Sequence, residues 1–261
     1  MQVLSKFGAG SAYVVFMTVC FNSMSKLSSL YFWCGMMFTN YTMNQLKSLY
    51  AEPRPYWVSD EIAHSSCTTG FGNPSGHMIN NSFFWVSLYC HIFYDMMMSS
   101  DEGFWKRKSV KFMSAIFLVV FLGLMALSRV YLGAHTLNEV LFGALLGSTM
   151  AAIGHFKVKP IFYGLPQMLY SREEEERYDI DSWTYMKVLF SSLVLPMGLA
   201  TLTLLLRAHD NENALFTSSA WLTRMKRGGC TDENLDPATI LHYRHFEHSA
   251  IISLATGALM G

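Results

Sequence analysis

The sequence predicts an all-α fold, a polytopic membrane helix bundle with six or seven transmembrane helices in a single domain, 1–261. Of its 261 residues, 51% are hydrophobic and only 15% are charged. The 19 basic and 19 acidic side chains are unevenly spaced, and only Asp95 and Glu139 fall within six long apolar segments. Segments of roughly 17 to 25 residues are long enough to cross a hydrocarbon core as helices.

The six predicted spans are 8–24, 28–46, 78–98, 112–127, 137–154 and 188–206. The strongest predictions are 112–127 and 188–206, which carry no charge, whereas 28–46 and 78–98 contain Asn, Thr and Ser. We expect 8–24 to be retained as a span, because it lacks a clear small-residue cleavage site.

The remaining composition limits the classes of protein. Residues 250–260 form a seventh apolar run, too short to span alone, which fits a half-helix, an interfacial segment or part of a longer span. The net charge is zero and the pI is about 7.1, so no basic field indicates a nucleic-acid partner. With its long apolar segments, the protein is expected to be surrounded by membrane lipids.

Counting the crossings places three polar stretches, 47–55, 73–77 and 128–135, on one side of the membrane. No span separates the first two, and the chain crosses and returns before the third. Basic residues near the span ends collect on the opposite side, namely Lys26, Lys106, Arg107, Lys108, Lys111, Lys157 and Lys159. The positive-inside rule makes that side cytoplasmic, so the three stretches are predicted to face the non-cytoplasmic side. The polar segment 207–248 would lie on the same side and could cover them.

Two cysteines, Cys67 and Cys230, also lie in loops on that side. They could form a disulfide if the compartment is oxidising and the two residues approach each other.

The three stretches contain the donors that a phosphate group needs. Lys47, Arg54 and Arg129 supply positive charge, and the prolines on both sides of Arg54 restrict its backbone. Ser75 and Gly76 stand where an apolar helix begins, and free backbone N–H groups at a helix start bind anions. A single basic residue at a span end more often only extends its charged group to the membrane interface. A phosphate site is therefore predicted from the whole set of residues.

His77 and His135 are the two groups suited to acid–base and nucleophilic work near neutral pH. Glu139 follows His135 at i+4, on the same face if the helix begins near Thr136. A carboxylate there would hold the imidazole tautomer and stabilise its cationic form.

In their order and spacing, these residues resemble the three-part signature of the type 2 phosphatidic acid phosphatase superfamily. The resemblance covers about 28–156, with the C-terminal spans and polar loop 157–261 beyond it. That family includes lipid phosphate phosphatases, glucose-6-phosphatase and the vanadium haloperoxidases. The matching residues are Lys47, Arg54 and Pro55, then Pro74 to His77 as PSGH, then Ser128, Arg129 and His135.

The resemblance implies a phosphatase that needs no metal or other cofactor and forms a phosphohistidine intermediate. It implies His135 as the nucleophile and His77 as the general acid. The implied phosphate ligands are Lys47, Arg54, Ser75, Gly76 and Arg129. Glu139 departs from the family pattern, which ends in Asp.

The substrate and the assembly are left open by the sequence. A lipid phosphate such as phosphatidate fits a site at the membrane surface best, although Arg54 to Trp57 (RPYW) also resembles the glucose-6-phosphatase branch, whose substrate is soluble. A different hypothesis is a catalytically silent subunit that packs in a larger membrane complex or homo-oligomer. Gly143 and Gly147 form a small-residue face for such packing, or for packing on helices of the same chain.

Overall fold

The computed structural model describes residues 1–6, 10–63, 70–96 and 104–163, together with the single positions Gly198, Leu199, Leu202 and Thr223. These residues form helices and connecting turns, without a strand in the described ranges. The helices are α1 (Gln2–Lys6), α2 (Gly10–Ser23), α3 (Lys26–Tyr50), α4 (Pro55–Val58), α5 (Gly76–Cys90), α6 (Phe104–Tyr131) and α7 (Leu137–Ile153). Two π-helical turns, His91–Met96 and Gly154–Val158, continue α5 and α7.

Five of the six predicted spans coincide with helices α2, α3, α5, α6 and α7. The sixth, 188–206, lies almost wholly outside the described residues, as do the segment 207–248 and the run 250–260. Cys67 and Cys230 also lie outside them, so their pairing stays a prediction.

Within the described residues, two helices are long and apolar enough to cross a membrane, Lys108–Tyr131 and Leu137–Tyr163. The first is almost entirely unburied by the protein, and Phe117 on it is 70% exposed. A helix with so much exposed apolar surface requires lipid or another apolar partner around it. The helical fold is therefore confirmed for the described residues, which include two candidate membrane spans, whereas the count of six or seven spans stays a prediction.

Helix α5 lies at the centre of the described bundle, packed on α7, α3 and α6. Its contact with α7 depends on two glycines. A Cβ on Gly143 would lie 2.9 Å from the Ser75 carbonyl oxygen, and one on Gly147 would lie 3.0 Å from the Ser82 Cβ. Small residues let two helix backbones approach closely. The glycine face thus packs within the same chain, which is one of the two uses expected from the sequence.

Two apolar clusters hold the helices around α5. Aromatic residues join α2, α3 and α5, with Phe32 and Phe84 fully buried and Phe16 stacked on Phe84 at 5.6 Å between ring centroids. Aromatic pairs of this kind contribute about 0.5–1.5 kcal/mol each beyond the area they bury. A smaller cluster of Met78, Met125 and Val140 joins α5, α6 and α7 directly beneath the helix ends that carry the predicted site.

The other end of the bundle contains a buried polar cluster. Lys159 Nζ donates a hydrogen bond to His91 Nδ1 at 2.9 Å and lies 5.2 Å from the centroid of the Tyr163 ring. Tyr163 in turn reaches Ser28 at the start of α3, 2.6 Å away. This cluster ties the far ends of α3, α5 and α7 together. Lys159, which the sequence places near a span end on the side opposite the site, is buried because its ammonium group has these partners inside the bundle.

Candidate active site

The three polar stretches meet at one end of the bundle, as the counting of crossings predicts. Lys47 lies in the last turn of α3, and α3 ends because Ala51 adopts a left-handed conformation at φ 46° and ψ 35°. The chain then reverses, so Arg54 lies just before the one-turn helix α4, which begins at Pro55. Proline suits the first helical position, because an N–H group there would have no partner within the helix and because the ring fixes φ at a helical value.

Lys47 and Arg54 both bind the backbone of the second stretch. Lys47 Nζ donates to the Phe71 carbonyl oxygen at 2.7 Å, and Arg54 Nε donates to the Gly70 carbonyl oxygen at 2.6 Å. These charged donors therefore fix the segment 70–72, which leads into the PSGH motif. The sequence predicted phosphate ligands here and did not predict this second task.

Arg54 also connects the first stretch to the third. Its Nη1 donates to the Ala134 carbonyl oxygen at 3.0 Å and lies 3.4 Å from His135 Nε2. Arg54 is 5% exposed, and its guanidinium group can only donate hydrogen bonds. The ring atom that faces it, His135 Nε2, is consequently the nitrogen with the lone pair.

The other ring nitrogen of His135 faces Glu139. The distance from His135 Nδ1 to Glu139 Oε2 is 2.7 Å, and both residues are at most 3% exposed. A carboxylate only accepts, so Nδ1 carries the proton and Nε2 carries the lone pair that faces Arg54. Helix α7 places the carboxylate, since Thr136 caps the helix and accepts from the Glu139 N–H at 3.3 Å.

The start of α5 has the features of an anion-binding site. Ser75 is fully buried, and its hydroxyl has no hydrogen-bond partner among the described residues. The helical hydrogen bonds begin with Met78 and Ile79, which both donate to the Ser75 carbonyl oxygen. The N–H groups of Gly76 and His77 therefore point out of the open end of the helix. A buried hydroxyl with no partner next to a helix start suits a phosphate oxygen.

Arg129 lies in the last turn of α6 and contacts a residue that sequence reasoning missed. Its Nη1 donates to the hydroxyl of Ser5 on α1, while its Nε has no hydrogen-bond partner in the described part of the chain. Nothing in the sequence indicated Ser5, because the contact joins residues 124 positions apart. Helix α1 therefore lies on the same side of the bundle as the other site residues.

The positive charges act on both histidines. Burial and, to a lesser extent, the charges of Arg129, Arg54 and Lys47 together lower the pKa of His77 to about 3. Burial and the charges of Arg54, Lys47, Arg129 and His77 hold the pKa of His135 well below its usual range. Both rings are therefore expected to be neutral near neutral pH. A bound phosphate would offset the three cations and favour the proton that His77 needs to act as an acid.

The donor set is suited to an anion and not to a metal ion. The residues brought together are three cations, two histidines, one hydroxyl and a helix start, with Glu139 engaged by His135. In the ranges that the structure describes, no group of three or more His, Cys, Asp or Glu side chains could hold a metal. The arrangement can bind a phosphate group and present an imidazole lone pair to it.

Comparison with known proteins gives one family and three relatives. A family model described as the PAP2 superfamily matches residues 28–160. Three proteins named dolichyldiphosphatase 1, from Callithrix jacchus, Plecturocebus moloch and Rhinolophus ferrumequinum, are each 32% identical over 111 residues. The match covers 41% of this chain and 42% of each relative, so less than half of their length is compared. No solved structure is significantly similar to the chain.

Proposed function

Because the chain belongs to the PAP2 superfamily, we propose that it is a membrane phosphatase that hydrolyses a lipid phosphate through a phosphohistidine intermediate. The observation that carries the proposal is the pair of His135 and Glu139, with Arg54 on the side of the free ring nitrogen. This pair holds the proton on Nδ1 and directs the Nε2 lone pair toward the three cations.

The first step of the proposed reaction transfers the phosphoryl group to the protein. His135 Nε2 attacks phosphorus and forms an N–P bond while the P–O bond to the leaving group breaks. Protonated His77 gives its proton to the leaving oxygen. Lys47, Arg54 and Arg129 stabilise the negative charge that spreads over the phosphoryl oxygens, and Ser75 and the α5 N–H groups add directed donors.

The second step releases inorganic phosphate. His77, now neutral, takes a proton from water as the water oxygen attacks phosphorus. The N–P bond breaks and His135 regains its lone pair. Throughout both steps Glu139 accepts a hydrogen bond from the Nδ1–H group, which stabilises the positive charge on the ring when the N–P bond forms.

For the substrate we propose a lipid phosphate, with phosphatidate as the first candidate. A site at the end of a bundle with exposed apolar helices lets a phosphate head group enter while its hydrocarbon chains stay in lipid. The names of the three relatives favour a second candidate, an isoprenoid diphosphate such as dolichyl diphosphate. A soluble sugar phosphate of the glucose-6-phosphatase type is the third, from the RPYW motif.

The experiment that tests the proposal is phosphate release by the purified protein in detergent, with excess chelator present. Phosphatidate, dolichyl diphosphate and glucose 6-phosphate are compared for the original chain and for His135→Ala. A matched control is His155→Ala, because His155 is also buried but lies at the other end of the bundle. We expect release that persists with chelator, disappears in His135→Ala and remains in His155→Ala.

No release from any substrate by folded protein would overturn the proposal and favour the silent membrane subunit. Release that stops with chelator and returns with a divalent metal would contradict the cofactor-free mechanism. The proposed non-cytoplasmic position of the site is tested with sealed vesicles of known orientation. Vesicles that expose the non-cytoplasmic face should hydrolyse a membrane-impermeant phosphate ester without detergent, and inverted vesicles should require detergent.

A further inference from the structure

Gly72 leaves the space that the Glu139 carboxylate occupies. A Cβ at residue 72 would lie 2.6 Å from Glu139 Oε1 and 2.8 Å from both Cδ and Oε2. Such distances are well inside van der Waals contact, so a side chain at 72 and the present position of the carboxylate exclude each other. The three nearest atoms all belong to the carboxylate that contacts His135.

Conformation does not explain a glycine at this position. In the described ranges Gly133 is the glycine with a positive φ, at 64°, whereas the φ of Gly72 lies outside the left-handed region. An L-residue could therefore adopt the backbone of residue 72 without strain. What glycine provides at residue 72 is space.

The backbone on either side of the contact is fixed by hydrogen bonds. The Gly72 N–H donates to the Glu52 carbonyl oxygen at 2.8 Å, and the preceding carbonyl, that of Phe71, accepts from Lys47 Nζ at 2.7 Å. On the other side, the Glu139 carbonyl oxygen accepts from the Ser75 N–H at 3.1 Å. Neither backbone can move away without breaking these bonds. An added methyl group would therefore displace the carboxylate from His135 Nδ1.

We propose that Gly72 is a positioning residue that allows a glutamate, in place of the family's aspartate, to orient His135. This inference rests on the proposed phosphatase function. A glutamate carries its carboxylate one C–C bond, about 1.5 Å, further from the helix than an aspartate does. That extra reach brings the carboxylate into the volume where another residue type at 72 would place its Cβ. Residues 72 and 139 therefore form a matched pair.

The matched pair is tested with Gly72→Ala, Glu139→Asp and the double variant. Gly72→Ala should lower kcat on the order of 100-fold with little change in KM, since a displacement of about 1 Å in a catalytic group has that effect. Glu139→Asp withdraws the carboxylate and opens the space beside residue 72. In the double variant the alanine should be tolerated, and kcat should be at least about 10-fold above that of Gly72→Ala.

The control is Gly123→Ala, since a Cβ at residue 123 of α6 meets no atom within 4 Å. It should keep the activity of the original chain. If Gly72→Ala does not fold, Glu139→Asp is compared with the double variant, which should agree within about threefold because the space is then free. A kcat for Gly72→Ala equal to that of the original chain, or a double variant no more active than Gly72→Ala, would overturn the inference. Inactivity of the original chain would instead overturn the proposed function.

Discussion

Replacing Arg54 with lysine tests how the site is assembled, because it keeps the charge and removes the planar fork. The guanidinium group contacts the carbonyl oxygens of Gly70 and Ala134 and lies near His135 Nε2. A lysine ammonium group cannot span all three positions, because it is a single point on a flexible stem. At least one carbonyl, of Gly70 or Ala134, would lose its charged donor.

The expected magnitude has two parts, because Arg54 is a proposed phosphate ligand as well as the donor to these carbonyls. A hydrogen bond from a charged group contributes about 1.5–3 kcal/mol, and 1.36 kcal/mol corresponds to a tenfold change in rate. Losing one such contact to the transition state predicts a fall in kcat/KM of about 10- to 150-fold for Arg54→Lys. An unsatisfied buried carbonyl costs about 1–3 kcal/mol of folding stability as well.

The assay measures kcat/KM for phosphate release and the thermal unfolding midpoint in the same detergent. Lys157→Arg is the control, since Lys157 is exposed at the other end of the bundle. Added guanidinium ion should partly restore Arg54→Ala if the lost group is the fork itself. An Arg54→Lys variant within about threefold of the original chain in kcat/KM would show that charge alone is sufficient and would refute the reasoning.

Two further predictions concern protonation and packing. Because burial and nearby cations lower the pKa of His77 to about 3 from an unfolded value near 6.5, the stability of the fold should be complete above pH 6.5 and decline as the pH falls below it. The unfolding midpoint should therefore drop less between pH 7 and pH 5 in His77→Gln than in the original chain. An equal drop in both proteins would contradict the burial of a neutral His77 ring. Gly147→Leu should separate α7 from α5, because a Cβ there would lie 3.0 Å from Ser82 Cβ and closer still to the Ile79 carbonyl oxygen. Gly147→Leu should lower the unfolding midpoint by several degrees. Gly123→Leu, which faces open space, should leave the midpoint within about one degree of the original value. Similar losses in the two variants would contradict the role of the glycine face.

Much of the site was predictable because its residues are close in sequence or follow from counting crossings. The pair of His135 and Glu139 follows from i+4 spacing in a helix that begins near Thr136, and the structure has that helix and that contact. Apolar length predicted where α6 and α7 lie. The meeting of the three polar stretches followed from the alternation of faces along the chain.

The remaining features depend on contacts between distant residues, for which one sequence carries no local signal. Arg54 and His135 are 81 positions apart in the sequence. They come together because the chain turns after α3 and again before α7. The space that Gly72 leaves for Glu139 and the contact of Ser5 with Arg129 are of the same kind. In the sequence Lys159 is one of the basic residues near span ends. In the structure it is buried, because its ammonium group contacts His91, which is distant in the sequence.

The central claim is that His135 carries the phosphoryl group, and trapping the intermediate tests it most directly. The variant His77→Ala removes the base of the second step, so a substrate with a good leaving group and a labelled phosphorus should load the protein and release phosphate slowly. We expect label that is stable to base, labile to acid and located on His135 by mass spectrometry, with none in the variant that also carries His135→Ala. Continued turnover of the original chain, with no label on His135 in either background, would contradict the account.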